Sequence, residues 1–329
     1  MIYFGGKGTT KQMNNQIILY LCCVFMENWD NIYMRRCLEL ARKGLGYVAP
    51  NPMVGAVVVS GGRIIGEGYH RRFGEAHAEV NAINAVRQPE LLRKSMLYVN
   101  LEPCAHYGKT PPCAELIIAK QIPKVVVGAA DPFAKVDGRG IEMLRKAGVE
   151  VTVGVLKAEC ETLNKRFLTF VTQHRPYIIL KWAQSADGFV DRLRQVGDGQ
   201  TAIRFSNDFT TQLVHKMRAE EAAIVVGTRT KALDQPQLNI RHWHGTNPIR
   251  LTAESTKPLP QWMKELYEQG IQSLIVEGGP TLQQSFIDAG LCDEVRVEVS
   301  DVRLGVGVKA PDLSLSPFRR YNNFKFFQK

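Results

Sequence analysis

Nothing in this chain stays apolar long enough to cross a bilayer. The stretch Ile17 to Met26 has ten residues, about half of what a spanning helix needs. Lys7 and Lys11 precede it, as in a secretory leader, but no small-residue cleavage motif follows. Cysteine is scarce. The seven (Cys22, Cys23, Cys37, Cys104, Cys113, Cys160 and Cys292) form an odd set without regular spacing, which argues against a secreted disulfide framework and for a reducing cytoplasm. Like charges never gather in runs of five or six, which weighs against a nucleic-acid partner. There is no internal repeat.

What is present is a basic chain with ample apolar content. Its 329 residues set an expectation of two domains, and its 45% hydrophobic content can fill two cores. Lys and Arg number 42 against 32 Asp and Glu, a net charge of +10 with a pI near 9.3. That balance favours anionic partners, phosphorylated metabolites and a dinucleotide before nucleic acid. Residues 1–25 read as an extension, disordered or not native, because Met26-Glu27-Asn28-Trp29-Asp30 leads straight into a helix.

Periodicity places the elements. Asn31 to Lys43 is an amphipathic helix stopped by Gly44 and Gly46. Val54 to Val59 and Arg63 to Gly68 form a hairpin around Ser60-Gly61-Gly62. A helix from His77 to about Val86 is followed by strand Met96 to Asn100, helix Ala114 to Lys120, strand Lys124 to Gly128, helix Gly140 to Ala147 and strand Glu150 to Val153. Strands alternating with helices predict a layered α/β domain over residues 26–171. A second α/β domain is predicted over 172–329. Its strands are Tyr177 to Ala183, Ala222 to Gly227, Ser273 to Val276 and Val295 to Val299, and its helices Ser206 to Arg218, Trp262 to Gln269 and Thr281 to Ala289. Asp191 to Thr201 is polar and reads as a mobile loop near a site.

The chemistry sits in His77-Ala78-Glu79, Pro103-Cys104 and Cys113. One imidazole and two thiolates are a zinc donor set that keeps a fourth position open for water, and a cation there makes that water a nucleophile near neutral pH. Glu79, two residues from the histidine, is placed to carry protons. The order His-x-Glu, Pro-Cys, Cys belongs to zinc deaminases of nucleobase type. A lone cysteine is usually core filling and a lone histidine usually a satisfied polar contact; it is the joint pattern that points to metal. Eight residues separate the two cysteines here, against two in the common Pro-Cys-x-x-Cys form. Pro111 and Pro112 present Cys113 at a helix start, where thiolate is favoured.

The first half resembles the pyrimidine deaminase half of the bifunctional riboflavin-biosynthesis deaminase–reductase family. The resemblance covers about Asp30 to Val171 and rests on Asn51-Pro52-Met53-Val54-Gly55, Gly66-Glu67-Gly68-Tyr69-His70, His77-Ala78-Glu79 and the run from Glu102 to Cys113. It implies a cytidine-deaminase-like three-layer αβα fold. It also implies hydrolytic removal of the 2-amino group of 2,5-diamino-6-ribosylamino-4(3H)-pyrimidinone 5′-phosphate. On the family pattern His77, Cys104 and Cys113 hold zinc, Glu79 shuttles protons, and Asn51, His70, His106 and Lys109 contact substrate. A lysine gives phosphate a point charge, though a loop lysine is otherwise mostly solvated, and an asparagine in Asn-Pro is otherwise often a plain turn residue.

The second half resembles the dihydrofolate-reductase-like reductase half through Lys181 to Gly188, Met217-Arg218-Ala219-Glu220, Val226 to Thr230, Asp234 to Arg241 and Val276 to Leu282. The resemblance implies NADPH-dependent reduction of the ribosyl group to ribityl. Ala183, Thr230 and Asp234 would border the nicotinamide cofactor; Arg218, Leu238, Arg241 and Glu277 would face substrate. A homo-oligomer formed through this half is implied too. Asp234-Gln235-Pro236 stands where the family has Asp-Asp-Pro. Only Thr252 to Gln261 separate the strand at Leu251 from the next helix, so the half reads as shortened, with no final strand expected after Ser300. Two other readings stay open. One is a deaminase whose second half is a structural or dimerising module. The other is a nucleic-acid-binding or editing protein, for which the interleaved aromatics of a basic groove are not found.

Overall fold

The computed structural model describes residues 28–107, 111–133, 137–253, 256–313, 319–321 and 323–328. The expected extension 1–25, and Lys109, lie outside them. Among the described residues no helix is long and apolar enough to cross a membrane.

The N-terminal half runs α1 (Trp29–Arg42), β1 (Gly55–Ser60), β2 (Arg63–Tyr69), α2 (Ala78–Asn84), a 3₁₀ helix (Pro89–Lys94), β3 (Ser95–Leu101), α3 (Cys113–Ala119), β4 (Lys124–Ala129), α4 (Arg139–Lys146), β5 (Glu150–Val153), α5 (Lys157–Leu163) and α6 (Lys165–Gln173). Its sheet has the order β2-β1-β3-β4-β5, with β1 antiparallel to both neighbours and β3, β4 and β5 parallel. Alternation along the strands feeds two cores. Ala56, Val58, Leu97, Val99, Val125 and Val127 pack with Ala78, Ala82, Ala114 and Ile117 of α2 and α3. Val57, Val59, Tyr98 and Val126 pack with Met34, Cys37 and Leu38 of α1 and with Cys160 and Phe167 of α5 and α6. Both faces are covered, which explains why these strands read as continuous apolar runs.

The C-terminal half runs β6 (Tyr177–Gln184), β7 (Phe189–Asp191), α7 (Asp208–Ala219), β8 (Ala223–Gly227), α8 (Thr228–Asp234), β9 (Ile249–Ala253), α9 (Leu259–Glu268), β10 (Ser273–Glu277), α10 (Pro280–Asp288), β11 (Glu294–Val299), β12 (Val308–Lys309), β13 (Arg319–Tyr321) and β14 (Phe324–Gln328). The main sheet has the order β13-β14-β11-β6-β10-β8-β9; its five strands β11 to β9 are parallel and β14 antiparallel to β11. The carboxyl ends of β6, β10 and β8 therefore share one edge, the usual ligand crevice of an open α/β sheet. The expectation that no strand follows Ser300 is corrected: β14 pairs with β11 from Glu294↔Gln328 to Glu298↔Phe324, and the Phe324 side chain is fully buried. Beyond β7 the expected loop 191–201 has no regular secondary structure, and it is anchored at Arg194. Arg194 donates to Asp191 at 2.7 Å and to Asp234 at 2.7 Å.

The two halves are riveted by charge. Arg166 on α6 pairs with the fully buried carboxylate of Glu221, Nε to Oε2 at 2.8 Å. Lys165 pairs with Glu294, which also accepts from Arg296 at 2.7 Å and from the Tyr177 hydroxyl at 3.2 Å. Buried pairs of this kind hold only while both partners are present.

Candidate active sites

His77 caps α2 with extended backbone, which aims its ring back across the sheet edge toward the end of β3, and Cys113 opens α3. The ligating atoms of His77, Cys104 and Cys113 all lie within 4.8 Å of one another. His77 Nδ1 stands 3.6 Å from Cys104 Sγ and 3.4 Å from Cys113 Sγ. Cys104 Sγ accepts from the Cys113 backbone N–H at 3.3 Å. The hydrogen bond from the Cys113 thiol, aided by His77, pulls Cys104 down to about 4 against the effect of burial. Ionising Cys113 as well is opposed by Cys104 first and by burial second. A divalent cation among the three atoms removes that opposition by pairing with both thiolates, so the donor chemistry fits zinc.

Glu79 lies one helical step inside, 3% exposed. Burial, and then the negative charge of Cys104, push its carboxyl up to about 7. His70 is buried as well, and burial holds its pKa below the usual value. Its Nδ1 faces the Ala76 carbonyl at 3.2 Å, which can only accept, so the proton sits there and Nε2 accepts from Asn51 Nδ2 at 3.1 Å. His106 rests edge-on against Phe133, 6.4 Å between centroids, and its buried Nδ1 has no protein partner.

Sequence reasoning missed what holds this centre. The Glu102 carboxylate accepts from four backbone N–H groups: Asp131 at 3.2 Å, Gly138 at 3.1 Å, Gly140 at 2.9 Å and Ile141 at 3.2 Å. It thus caps α4 and docks that helix on the Pro103-Cys104 strand end. A Cβ on Gly140 would lie 2.0 Å from the Pro103 carbonyl oxygen, so no larger residue lets the helix so close. Met53, two residues after Asn51, has its N–H and carbonyl both taken by the Asn164 side chain, at 2.8 and 2.9 Å. Neither Glu102 nor Asn164 carries a local signal, since their partners are distant in sequence.

In the second half, Glu277 ends β10 and Arg218 lies near the end of α7. The guanidinium grips Glu277 through Nε at 2.9 Å and Nη2 at 2.6 Å, and Nη1 reaches the Asn239 carbonyl at 3.1 Å. Burial would raise Glu277, but Arg218 and Lys181 outweigh it and hold the carboxyl below its ordinary range. Arg218 is therefore committed to Glu277 and to the Asn239 carbonyl. Arg241 is exposed and donates to Asn239 Oδ1 at 2.8 Å. Leu238 takes a left-handed φ of 49°, uncommon outside glycine, and its side chain packs in the core with Ile179, Val226 and Ile275. His215, missed from sequence, is 2% exposed, with an unpartnered Nδ1 and its ring 4.8 Å from that of His242. Burial first, and then the charge of Arg218, press its pKa down to about 4.

Ala183 lies near the carboxyl end of β6, Thr230 on α8, and Asp234, paired with Arg194, ends α8. The Gly278-Gly279 turn leads into α10, and Thr230 Oγ1 accepts from the Gly279 N–H at 2.9 Å. A Cβ on Gly278 would sit 3.3 Å from Gly227 N, so the β8 and β10 turns touch there. The Gly279 N–H is thus taken by Thr230, and Pro280, the first residue of α10, has none to offer.

Comparison with known proteins gives concordant results. The family of the cytidine and deoxycytidylate deaminase zinc-binding region matches residues 27–129. The RibD C-terminal domain matches 176–264 and 257–316, two segments that overlap over 257–264. Riboflavin biosynthesis protein RibD of Aquifex aeolicus is 37% identical over 330 residues, covering 87% of this chain and 91% of that protein. Its Escherichia coli counterpart is 33% identical, covering 84% and 89%. The crystal structure of a diaminohydroxyphosphoribosylaminopyrimidine deaminase/5-amino-6-(5-phosphoribosylamino)uracil reductase from Thermotoga maritima superposes with a TM-score of 0.78. It is 35% identical and covers 91% of this chain and 98% of that one. Acinetobacter baumannii RibD superposes at 0.81 with 30% identity and the same coverage. The cytidine-deaminase-like first half and the reductase-like second half both stand confirmed, and the nucleic-acid reading finds no support. The chain belongs to the RibD family of riboflavin-biosynthesis proteins, enzymes that join a zinc-binding deaminase to an NADPH-using reductase.

Proposed function

We propose that this enzyme deaminates 2,5-diamino-6-ribosylamino-4(3H)-pyrimidinone 5′-phosphate in its first half and reduces the ribosyl group of the product to ribityl in its second. The observation that carries the reading is the meeting of one imidazole and two sulfurs beside a buried carboxyl shifted to about 7. In this reading His77, Cys104 and Cys113 hold the zinc, which when bound activates water. Glu79, buried beside the metal ligands, accepts a proton from the attacking water and returns it to the departing amine. His70 fixes the Asn51 amide, whose remaining polar positions read the pyrimidine edge. His106 offers its unpartnered Nδ1 to substrate, and Lys109 meets the phosphate.

In the second half NADPH supplies the hydride. Ala183, Thr230 and Asp234 border it. Glu277, held by Arg218, presents an oriented carboxylate to the sugar, Leu238 shapes the floor, and the exposed Arg241 meets the substrate phosphate. Thiolate ligands suit a reducing cytoplasm, and self-association through the second half belongs to the same reading, which sedimentation of the purified protein tests.

A coupled assay on purified protein tests the whole. Zinc at one per chain, ammonia release from the diaminopyrimidine, and NADPH oxidation that starts only after deamination are the expected results. Ammonia release with no NADPH oxidation would leave a deaminase carrying a structural second half.

A further inference from the structure

We propose that the C-terminal half completes the deaminase site: Gln272 is a positioning residue for the first reaction, although it lies outside the deaminase half. Gln272 stands just before β10 and is 7% exposed. Its Nε2 donates to the Pro50 carbonyl at 2.6 Å, across 222 residues of chain. That carbonyl belongs to the peptide joining Pro50 to Asn51, so the bond fixes the plane from which Asn51 leaves toward His70.

The same turn is reached from the C-terminal half by a second route. Asn164 holds Met53 from both sides, and the next two residues, Lys165 and Arg166, are anchored on Glu294 and Glu221. The segment from Pro50 to Met53 is thus gripped at both ends by groups whose placement depends on the second sheet. Gln272 is itself anchored in that sheet, since its carbonyl accepts from the Tyr177 N–H at 2.9 Å. Beside the turn lies a cavity of about 250 Å³ lined by Val48, Asn51, Met53, Phe167, Ile249 and Gln272. The turn therefore has room to shift once the grip is released, and Gln272 opposes that movement. A small displacement at Asn51 is felt in substrate binding before it is felt at the zinc, because His77 and Cys113 sit at the starts of α2 and α3 and Cys104 follows β3, whereas the Gln272 side chain bonds to the Pro50 carbonyl.

This inference rests on the reading of Asn51 as a substrate contact, so the experiment measures both. In the full-length zinc-loaded enzyme, Gln272→Met keeps the bulk and removes the donor. The expected result is a deaminase KM raised about three- to tenfold, the worth of one hydrogen bond, with kcat and zinc content unchanged, and with NADPH oxidation unchanged when the deaminated product is supplied directly. Gln272→Glu, which cannot donate and sets an oxygen against the Pro50 carbonyl, raises KM further. Gln272→Lys, which donates again, restores it. Asn51→Ala is the companion variant. If it raises KM while Gln272→Met does not, the clamp is overturned and the substrate role of Asn51 stands. If Asn51→Ala also leaves KM unchanged, both fall.

Discussion

Glu79 owes its chemistry to where it is buried. A carboxyl near 7 beside two sulfurs is both a usable base and a usable acid at neutral pH. Glu79→Gln is isosteric but cannot carry a proton. We expect it to retain zinc and to lose deamination by about 10²- to 10⁴-fold, with metal analysis and ammonia release measured on the same sample. Near-normal turnover would remove Glu79 from its role. Cys113→Ala deletes one of the two sulfurs facing His77 Nδ1, and we expect purified protein to lose most of its zinc; full occupancy would mean another residue supplies the ligand. These residues were legible in sequence because zinc dictates donor type and the His-x-Glu spacing is local. Gln272, Asn164 and His215 were not. Each is an ordinary polar residue whose partners lie elsewhere in the chain, and burial, which gives them meaning, is not written locally.

At the level of elements, periodicity placed the central strands of both sheets and most helices within a residue or two, because burial on both faces leaves continuous apolar runs. It missed α5, α6 and α8, which are short and half exposed, the short strands β7, β12 and β13, and β14, where Phe324, Phe326 and Phe327 do not alternate. It also missed the coupling between α4 and the metal strand. Four N–H groups converge on Glu102, and removing their acceptor leaves buried donors unmet, at about 1–3 kcal/mol for such a loss. Glu102→Ala should therefore lower the melting temperature and weaken zinc affinity together, because α4 packs on Pro103, the neighbour of Cys104. Competition with a chromophoric chelator measures the second effect. Unchanged zinc affinity in a destabilised variant would confine Glu102 to the helix.

The whole molecule is closed by buried charge along the seam between its halves. Burial alone would raise Glu294, but Arg296 and Lys165 outweigh it and hold the carboxyl down to about 2, against 4.5 ordinarily. The unfolded chain therefore takes up a proton at Glu294 at higher pH than the folded one. The stabilisation is present above about pH 4.5 and is lost as pH falls toward 2. Unfolding followed from pH 6 to pH 2.5 should show a steep acid limb in the native enzyme. In Glu294→Gln that limb should be shallower, from a lower starting stability; equal slopes would assign acid sensitivity to other groups. The long reach of the contacts at Pro50 and Met53 has a consequence for biosynthesis. The turn that carries Asn51 leaves the ribosome with neither of its amide locks, for Asn164 is translated 111 residues after Met53 and Gln272 222 residues after Pro50. A nascent chain stalled between those points would carry its metal pocket before its pyrimidine pocket was set, and would hold its first substrate more weakly until the second half was translated.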